Sequence, residues 1–326
     1  MDKDKQISVV VCTYNGAKYL RPQLDSIIGQ TLRPCEIIIQ DDGSTDDTWN
    51  ILEEYAQRQP CIRLFRNEGK HGINHNFFSA MRKATCEYIA LSDQDDIWEK
   101  DKLKKQAEAI GKRLLCSGFS VPFSDDGFPV GNDLRQPNYD ILRIAYLGVL
   151  PGHTLFMHKS LLDYLKGNED CPYLYDWQLQ MVAAAAESIA FVPDTLVHFR
   201  RHVGAATASS PVGNSFMSRS TIHYMATTLF CHTSLQSCVH KRFGYILQML
   251  DELPFQTKSG DECHKMAVLQ TRRGLVNFIR RTFFFLHHRT RLFYTVEKDS
   301  LFTVCRALYF SFSCGYYYRA TLKQKK

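Results

Sequence analysis

The sequence predicts an α/β protein: a doubly wound, mainly parallel sheet with helices on both faces, followed by a basic helical extension. Two patterns indicate the sheet, because short β-branched runs recur over residues 7–92 and apolar residues at helical spacing lie between them. Charge indicates the extension, because residues 215–326 carry 17 Lys and Arg against 6 Asp and Glu, whereas residues 1–214 carry 23 against 28. We therefore expect one domain over residues 1–214 and a second over residues 215–326.

Composition limits the class of protein. The 326 residues are 44% hydrophobic and 23% charged, which is typical of a globular protein with a sizeable core. The polar N-terminus leads into only a short apolar run, so we expect no secretory signal and no N-terminal membrane span. Eleven cysteines without CxxC spacing argue against a zinc site and a disulfide framework, and indicate reduced thiols in a cytosolic protein.

The first strand is predicted at residues 7–12, which are almost continuously apolar, as in a central strand covered on both faces. A turn signal follows at residues 13–16, and Leu20, Leu24 and Ile27 then recur at helical spacing. This order of strand, loop and helix is the unit from which parallel sheets are built.

Three further strands are predicted after the first. Residues 36–40 precede an acidic loop and a helix, residues 62–65 precede a helix over about 74–85, and residues 88–92 form the fourth strand. In sheets of this kind, ligands bind at the carboxyl ends of the strands. The strands end there in polar residues, which are Thr13 to Asn15, Asp41 and Asp42, Arg66 and Asn67, and Asp93 to Asp96.

The acidic motif at residues 91–96 carries the most information about chemistry. Carboxylates gathered after a buried strand repel one another unless a cation compensates them, and a divalent metal is the simplest compensator. The alternative is an acidic turn with an Asp N-cap for the charged helix expected within residues 99–113. Because the sequence contains neither GxGxxG nor GxxxxGKS, a metal held by this motif would be the means of neutralising a bound phosphate.

The second half of the sequence shows weaker periodicity. The predicted elements are a loop at 121–137, a strand at 155–157, a helix at 160–166, a helix opened by 173–177 and running to 186, and closing strands at 188–192 and 195–199. From residue 215 the pattern is helical and basic. Its apolar runs, 283–286 and 308–318, are short for the ~20 residues of a spanning helix, so interfacial helices fit better.

Residues 7–200 resemble the inverting glycosyltransferases of family 2, which have the GT-A fold. The resemblance depends on motifs that occur together in family order and at family spacing, namely residues 9–15, 37–46, 66–67, Gly72 with 76–77, and 91–98. Residues 93–98, with Asp176 and Trp177 and then residues 200–202, are most similar to the branch that contains bacterial rhamnosyltransferases of surface-polysaccharide synthesis.

The resemblance implies a nucleotide-sugar donor whose departing diphosphate is neutralised by Mg or Mn, which all-oxygen ligation suits. Asp95 matches the last Asp of the family's DxD motif and is expected to bind the metal, with Asp93 contacting the sugar or ribose and Asp96 behind them. His202 resembles a histidine that completes the metal shell or contacts the diphosphate. The alternative for His202 is a solvated residue in a basic run.

Other positions match donor-binding residues of the family. Asp41 is expected to accept the imide N–H of uracil or thymine, although Asp41 and Asp42 can also serve a turn before a capped helix. The remaining expected donor contacts are Thr13, Tyr14, Asn15, Asp42, Arg66 and Gln94.

Asp176 matches the position of the family's general base, which takes the proton of the acceptor hydroxyl. Tyr175 stands where the family usually has Glu. Without the resemblance, a helix cap would be the simpler explanation for Asp176. The expected contacts to the acceptor or the diphosphate are His153, Trp177, Arg200 and Arg201, with a buried aromatic as the alternative for Trp177.

The resemblance therefore implies a metal-dependent inverting glycosyltransferase that moves a sugar such as rhamnose from a dTDP- or UDP-sugar to a lipid-linked saccharide. The basic extension is expected to lie on the inner face of the cytoplasmic membrane, with no nucleic acid as partner. One alternative is a sugar-phosphate nucleotidyltransferase, whose glycine-rich signature residues 13–16 do not supply. Another is a nucleic-acid-binding protein that uses the basic extension, and its binding would weaken steeply with salt.

Overall fold

The computed structural model describes residues 6–127, 130–131, 135–202, 234–272, 274–293, 295–296 and 298–313. The chain forms two compact units. The first consists of Met1–Gln136, Leu150–Ala183 and Ser188–Ser210, and the second of Pro137–Val149, Ala184–Glu187 and Pro211–Lys326. The helical pattern predicted for residues 215–233 and the part of the last apolar run beyond residue 313 lie outside the described residues.

Eight strands form one sheet in the first unit: β1 (Ile7–Thr13), β2 (Glu36–Asp41), β3 (Ile62–Arg66), β4 (Tyr88–Ser92), β5 (Ile97–Trp98), β6 (Leu115–Phe123), β7 (Phe156–His158) and β8 (Ile189–Arg200). Their order across the sheet is β3-β2-β1-β4-β7-β6-β8-β5. Strands β1 to β4 are parallel, β7 is antiparallel to both β4 and β6, and β6 is parallel to β8. The predicted α/β class with a largely parallel sheet is confirmed.

The helices up to residue 200 are α1 (Ala17–Ile28), α2 (Thr48–Arg58), α3 (Ile73–Arg82), α4 (Lys102–Ile110), α5 (Ile141–Ile144) and α6 (Tyr175–Ala185). Helices cover both faces of the parallel strands. On one face, Val9 and Val11 of β1 share a core cluster with Leu20 of α1. On the other face, Gln40 of β2 donates hydrogen bonds to Asn76 and Ser79 of α3, at 2.9 and 2.5 Å.

Burial explains why the predicted parallel strands form. Every residue of β1, β2 and β4 is buried, which is the pattern of a strand covered on both faces. Such strands need apolar side chains on both sides. Runs of Val in β1 and Ile in β2 supply them, and Tyr88, Ile89, Ala90 and Leu91 supply them in β4. Strands β1, β2 and β4 were therefore predictable from the sequence.

The second half of the sheet departs from the predictions. Strand β6 extends through Phe123, where a loop was expected over residues 121–137, because β6 pairs along its length with β8. The two closing strands expected at 188–192 and 195–199 are one strand, β8. Its pairing is irregular opposite Gly118 to Ser120 of β6, and the exposed Pro193 and Asp194 in this part of β8 interrupt the apolar pattern.

Among its described residues, the second unit contains α5 and four further helices, α7 (Ser234–Glu252), α8 (Lys258–Thr271), α9 (Leu275–His287) and α10 (Leu301–Ser313). Its core is aromatic: ring centroids lie 4.9 Å apart between Tyr146 and Phe310, and 5.1 Å apart between Phe285 and Phe310. Arg291 donates from Nε to Asp140 and from Nη1 to Glu262, both at 2.6 Å. Within the described ranges, no helix has the length and apolar character needed to cross a membrane.

Candidate active site

Four loops follow the carboxyl ends of β1, β2, β3 and β4 at one edge of the sheet. The register pairs Thr13 with Asp41 and Asp41 with Arg66, and it pairs Val11 with Ser92. Because these strands are parallel and adjacent, the polar residues that end or follow them are neighbours. The site residues predicted within the first 100 positions therefore lie at this edge.

The carboxylate of Asp41 is buried and fully hydrogen-bonded. Its Oδ1 accepts hydrogen bonds from Thr13 Oγ1 at 2.9 Å and Ser44 Oγ at 2.5 Å. Its Oδ2 accepts the backbone N–H groups of Gly43 at 3.2 Å and Ser44 at 2.9 Å. These donors occupy the about four lone-pair sites of a carboxylate. Asp41 therefore fixes the turn after β2, as in the alternative explanation, and has no acceptor left for the imide N–H of a base.

Asp42 holds the loop that follows β3. Its Oδ1 accepts a hydrogen bond from Asn67 Nδ2 at 2.6 Å, and its Oδ2 accepts the backbone N–H of Gly72 at 2.8 Å. Arg66, at the end of β3, is exposed, and its guanidinium lies 3.9 Å from the centroid of the Trp49 ring. This cation–π contact orients Arg66 at the same edge as Asp42.

The loop after β1 is fastened to both neighbouring loops. Asn15 has a φ of 49°, and its Oδ1 accepts the backbone N–H of Thr45 at 2.8 Å. Gln94 forms a reciprocal pair with the backbone of Tyr14, because Oε1 accepts its N–H at 2.8 Å and Nε2 donates to its carbonyl at 3.0 Å. A Cβ on Gly16 would overlap Gln94 Oε1, so this close approach requires glycine. Gln94 thus joins the acidic motif to the β1 loop.

Asp93, Asp96 and His153 form a cluster whose possible ligand atoms all lie within 4.8 Å of one another. His153 Nδ1 is 3.5 Å from Oδ2 of Asp93 and 3.5 Å from Oδ2 of Asp96. Asp96 is only 3% exposed, and neither its Oδ2 nor Nε2 of His153 has a hydrogen-bond partner. Buried polar atoms without hydrogen bonds are costly, so their presence together indicates a site that a ligand completes.

Asp95 and His202 form a second pair from the same motif. His202 Nε2 lies 2.9 Å from Asp95 Oδ2, and the His202 ring packs on Tyr19 with the centroids 4.7 Å apart. Arg200 is buried beside them, where its backbone N–H donates to Asp96 Oδ1 at 3.1 Å and its Nε to the Asp95 carbonyl at 3.0 Å. Its guanidinium also contacts the carboxylate of Asp125. Arg200 therefore holds the acidic loop in place.

Burial and mutual repulsion change the acid–base behaviour of these groups. Burial raises the pKa of Asp96 to about 7, with the charges of Asp93 and Asp95 adding to the effect and that of His153 opposing it. Burial also raises the pKa of Asp95, and the charge of Asp93 adds to it. Burial by itself would lower the pKa of His153, but the carboxylates of Asp96 and Asp93 raise it above its ordinary value. A cation bound among these groups would relieve the repulsion that favours their protonation.

A buried network supports the turn that carries His153. Gln106 donates from Nε2 to the carbonyl of Thr154 at 2.7 Å, and its Oε1 accepts from Nζ of Lys102 at 2.9 Å. Lys102 is fully buried 3.8 Å from the centroid of the Trp98 ring, and burial lowers its pKa to about 7. The sequence alone predicts no role for Lys102 or Gln106, because no local pattern distinguishes them from the exposed residues of the same charged helix.

Asp176 lies in the first turn of α6, next to the turn of His153. Its Oδ1 accepts the backbone N–H of Trp177 at 2.7 Å, so it also caps the helix. A Cβ on Gly152 would lie 3.4 Å from the Cβ of Asp176, which shows how closely the two segments approach. Asp176 is half-buried, and the loss of hydration, with the charge of Asp93 adding to it, raises its pKa to about 6.

Three further residues from the predicted site, Tyr175, Trp177 and Arg201, make contacts within the protein. The Tyr175 ring stacks on Phe77 with the centroids 3.9 Å apart, which fixes the start of α6. Trp177 is 5% exposed and packs near Tyr173, so it offers no open face for a sugar. Arg201 donates its backbone N–H to the carbonyl of Phe123 at 2.8 Å.

The structure thus places carboxylates from one motif beside two histidines from distant parts of the sequence. The expected ligand pair Asp95 and His202 is in contact. A second group of possible ligands, which the sequence analysis did not assemble, consists of Asp93, Asp96 and His153. The only sequence signals for it were the extra Asp in the acidic motif and the Pro-Gly-His turn at residues 151–153, because pairing of β4 with β7 brings them together only in the fold.

Comparison with known proteins gives relatives for most of the chain. Residues 8–162 match the model of the family described as glycosyl transferase family 2. An uncharacterized protein of Mycobacterium tuberculosis is 30% identical over 268 residues, which are 76% of each chain. The dTDP-rhamnosyl transferase RfbG of Shigella flexneri is 40% identical over 105 residues, covering 31% of this chain and 36% of RfbG.

A solved structure also has a similar fold. The crystal structure of residues 1–349 of Staphylococcus aureus TarS in complex with UDP-GlcNAc matches with a TM-score of 0.54 and 18% identity. The match covers 98% of this chain and 90% of that chain. At this identity the likeness concerns the fold.

Proposed function

The chain belongs to glycosyl transferase family 2 and is a glycosyltransferase, and on that basis we propose a specific reaction for it. The enzyme transfers a sugar such as rhamnose, with inversion, from a dTDP- or UDP-sugar to a lipid-linked saccharide in the synthesis of a cell-surface polysaccharide. The transfer depends on a divalent metal. Because the chain belongs to this family, we set aside the alternative of a sugar-phosphate nucleotidyltransferase.

The observation that carries this proposal is the acidic cluster after β4, in which Asp96 Oδ2 and the neighbouring His153 Nε2 lack hydrogen bonds. A carboxylate oxygen of the buried Asp96 lacks a hydrogen bond, and it lies 3.5 Å from His153, which also contacts Asp93. A purely structural acidic turn would satisfy its buried oxygens, as the turn at Asp41 does. The arrangement is therefore better explained as a binding site for positive charge.

The donor atoms fit Mg²⁺ or Mn²⁺. Both cations prefer carboxylate oxygens, and Mn²⁺ also accepts an imidazole nitrogen. Asp93, Asp96 and His153 would hold the ion, or Asp95 with His202 would, because both groups of side chains belong to the same acidic loop and its surroundings. When bound, such an ion stabilises the negative charge that develops on a departing diphosphate.

Asp176 is the proposed general base. The acceptor oxygen forms a bond to the anomeric carbon while the bond from that carbon to the diphosphate oxygen breaks, and the hydroxyl proton passes to a carboxylate oxygen of Asp176. A pKa of about 6 leaves Asp176 mostly ionised near neutral pH and raises its basicity above that of an ordinary Asp. Its close approach to the turn of His153 supports a position beside the departing group.

The loops of β1, β2 and β3 are the proposed donor-binding surface. Thr13, Tyr14, Asn15, Asp42, Arg66 and Gln94 belong to it. In this proposal Asp41 organises the surface through its four hydrogen bonds, while the 57% exposed Tyr14 and the exposed Arg66 contact the nucleoside or its phosphates. The dTDP in the name of RfbG and the UDP-GlcNAc of the TarS complex support a dTDP- or UDP-linked donor.

The remaining parts of the proposal concern the roles of the two domains, the membrane association and the kind of product. Residues 1–214 act as the catalytic domain, and residues 215–326 as an extension that associates with the inner face of the cytoplasmic membrane, where a lipid-linked acceptor would be. One relative supports a role in polysaccharide synthesis by its name. It is the putative teichuronic acid biosynthesis glycosyltransferase TuaG of Bacillus subtilis, which is 32% identical over 151 residues, 44% of this chain and 60% of TuaG.

A thermal-shift screen tests the proposal. We expect one dTDP- or UDP-sugar to raise the melting temperature of the full chain in the presence of Mn²⁺, because a ligand that binds only the folded state stabilises it. The same sugar nucleotide with excess EDTA should give a much smaller shift. If no nucleotide sugar raises the melting temperature with metal present, the proposed donor class is wrong; if EDTA leaves the shift unchanged, the metal is not required.

A further inference from the structure

Helix α9 exposes an apolar stripe. Leu275 is 74% exposed, Ile279 45% and Phe283 67%, and Val276 beside them is 65% exposed. Residues four apart lie on one face of a helix, so Leu275, Ile279 and Phe283 form a continuous row. The opposite face is already packed, since Phe285 is fully buried against Phe310 and Tyr146.

Helix α10 repeats this arrangement. Leu301 is 80% exposed, Phe302 63% and Leu308 41%, while Ala307 and Phe310 on its other side are buried. Each helix thus uses one face for the core of the second unit and leaves large apolar side chains outside it. Contiguous exposed apolar side chains are rare on monomeric soluble proteins and usually mark an interaction site.

The charge around these apolar side chains identifies the kind of partner. Neither α9 nor α10 contains Asp or Glu, and residues 272–313 carry eight Lys and Arg against two acidic residues. Arg272, Arg280 and Lys298 are exposed, and among the described residues no carboxylate lies within ion-pair distance of them. By contrast, Arg289 and Arg291 are paired with carboxylates inside the second unit.

We propose that the exposed faces of α9 and α10 dock this enzyme on a bilayer that contains anionic lipids. The apolar side chains enter the boundary between headgroups and acyl chains, while Arg272, Arg280 and Lys298 meet the lipid phosphates. A helix with an apolar face and a basic polar face is the arrangement that binds in the plane of such a surface. The inference deepens the proposed membrane association, and it rests on the proposed function only for its purpose, the approach to a lipid-linked acceptor.

Vesicle binding by the full chain tests the docking face. We expect the protein to float with vesicles of phosphatidylcholine and phosphatidylglycerol and to bind vesicles of phosphatidylcholine alone much more weakly. The double variant Ile279→Ser, Phe283→Ser should lower the partition coefficient by about tenfold or more, because two exposed apolar side chains are removed. The matched control is Val130→Ser, Leu147→Ser, which removes two exposed aliphatic side chains outside both helices and should bind normally.

A charge variant tests the second half of the inference. Arg280→Gln should weaken binding to the anionic vesicles by about fivefold, the effect of one cation near such a surface. Lys104→Gln, which removes an exposed cation from α4, should have no such effect. Equal binding of neutral and anionic vesicles, or equal loss in the variant and its control, would overturn the assignment. Self-association that the double variant abolishes, without vesicle binding by the wild type, would assign the face to a second copy of the chain instead.

Donor binding in the same preparations separates this inference from the proposed function. Calorimetry with dTDP or UDP plus Mn²⁺ should give equal affinities for the wild type, the double variant and its control. A wild type that binds vesicles but no nucleotide refutes the proposed donor site and leaves the docking face supported. A wild type that binds nucleotide but no vesicle refutes the docking face and leaves the proposed donor site supported.

Discussion

Two acidic turns flank the end of β1, and their carboxylates have opposite surroundings. After β2, Asp41 is fully buried, and its two oxygens accept hydrogen bonds from Thr13, Gly43 and Ser44. After β4, Asp96 is almost equally buried, yet one of its oxygens has no hydrogen-bond partner. Burial alone therefore does not tell a structural carboxylate from a ligand-binding one; the supply of donors does.

The difference teaches how one sheet edge combines stability with binding. The buried oxygens of Asp41 accept hydrogen bonds from within the protein, so the turn of Asp41 contributes to folding without any ligand. Asp96 accepts a hydrogen bond only at Oδ1, from the backbone N–H of Arg200, while its buried Oδ2 has no partner, and burial raises the pKa of Asp96 to about 7. Its ionised form is thus costly until a cation arrives, which is the expected state of a site kept for a metal and a diphosphate.

The largest effect is expected from Asp176→Asn. This variant tests whether the carboxylates near the turn of His153, unlike Asp41, take part in the reaction. Asparagine keeps the size and the cap to Trp177 but cannot accept a proton, so kcat should fall roughly 10²- to 10⁴-fold. Donor affinity, measured by calorimetry, should stay the same. Asp163→Asn is the control, since Asp163 is exposed and remote from this chemistry. Near-normal turnover of Asp176→Asn would mean that the base is another group.

The pH dependence of the wild type extends this prediction. Because the base must be ionised and the pKa of Asp176 is about 6, kcat should fall as the pH decreases through about 6. A rate that is flat between pH 5 and pH 8 would contradict the assignment.

Asp41→Ala tests the structural side of the comparison. It leaves the buried hydroxyl of Thr13 and the donors of Gly43 and Ser44 without an acceptor, so the free energy of unfolding should fall by about 3 kcal/mol or more. Urea unfolding measures this change. Asp47→Ala, in the same loop but exposed, should cost less than about 1 kcal/mol. Equal effects of the two variants would show that the hydrogen bonds of Asp41 are not special.

Asp96→Asn, unlike Asp41→Ala, should raise the free energy of unfolding in metal-free buffer at pH 8. The pKa of Asp96 is higher in the folded than in the unfolded state, so the stability associated with its protonation is present below the unfolded pKa and is lost as the pH rises through about 7. Asparagine cannot ionise and avoids this loss. As the pH rises from 5 to 8, the unfolding free energy of the wild type should fall by about 2 kcal/mol relative to that of the variant. A variant less stable than the wild type at pH 8 would refute this explanation.

The smallest effect is expected from Gly16→Ala. The added Cβ displaces Gln94, a flexible side chain, so the unfolding free energy should change by less than about 1 kcal/mol. The variant nevertheless breaks the reciprocal pair between Gln94 and Tyr14, and the acidic loop loses its link to the β1 loop. We expect weaker donor binding with little loss of stability, and unchanged binding would show that the link is dispensable.

The parts of this site that local sequence determines were predictable. The mainly apolar runs before Thr13, Asp41 and Asp93 predicted buried parallel strands, and parallel strands bring their carboxyl ends to one edge. The partners of each carboxylate were not predictable. Whether Asp41 meets hydroxyls, or Asp96 meets His153, depends on turn geometry and on the antiparallel insertion of β7, neither of which has a local pattern.

The extent of β6 and β8 was missed for a related reason. Pro193 and Asp194 indicate a break, yet the strand continues because the irregular pairing lets both residues face solvent. This strand carries Arg200 to the acidic loop. The motif at residues 200–202 indicated Arg200, but its buried position beside Asp95 and Asp96 depends on the extent of β8.

The most direct test of the central claim, that the acidic groups after β4 bind a cation that holds a nucleoside diphosphate, is calorimetry of dTDP and UDP binding with and without Mn²⁺. For the wild type we expect tight binding of one of them with Mn²⁺ and weak binding in EDTA. For Asp93→Asn, Asp96→Asn we expect weak binding under both conditions. Wild-type binding that is equally tight in EDTA would contradict the claim.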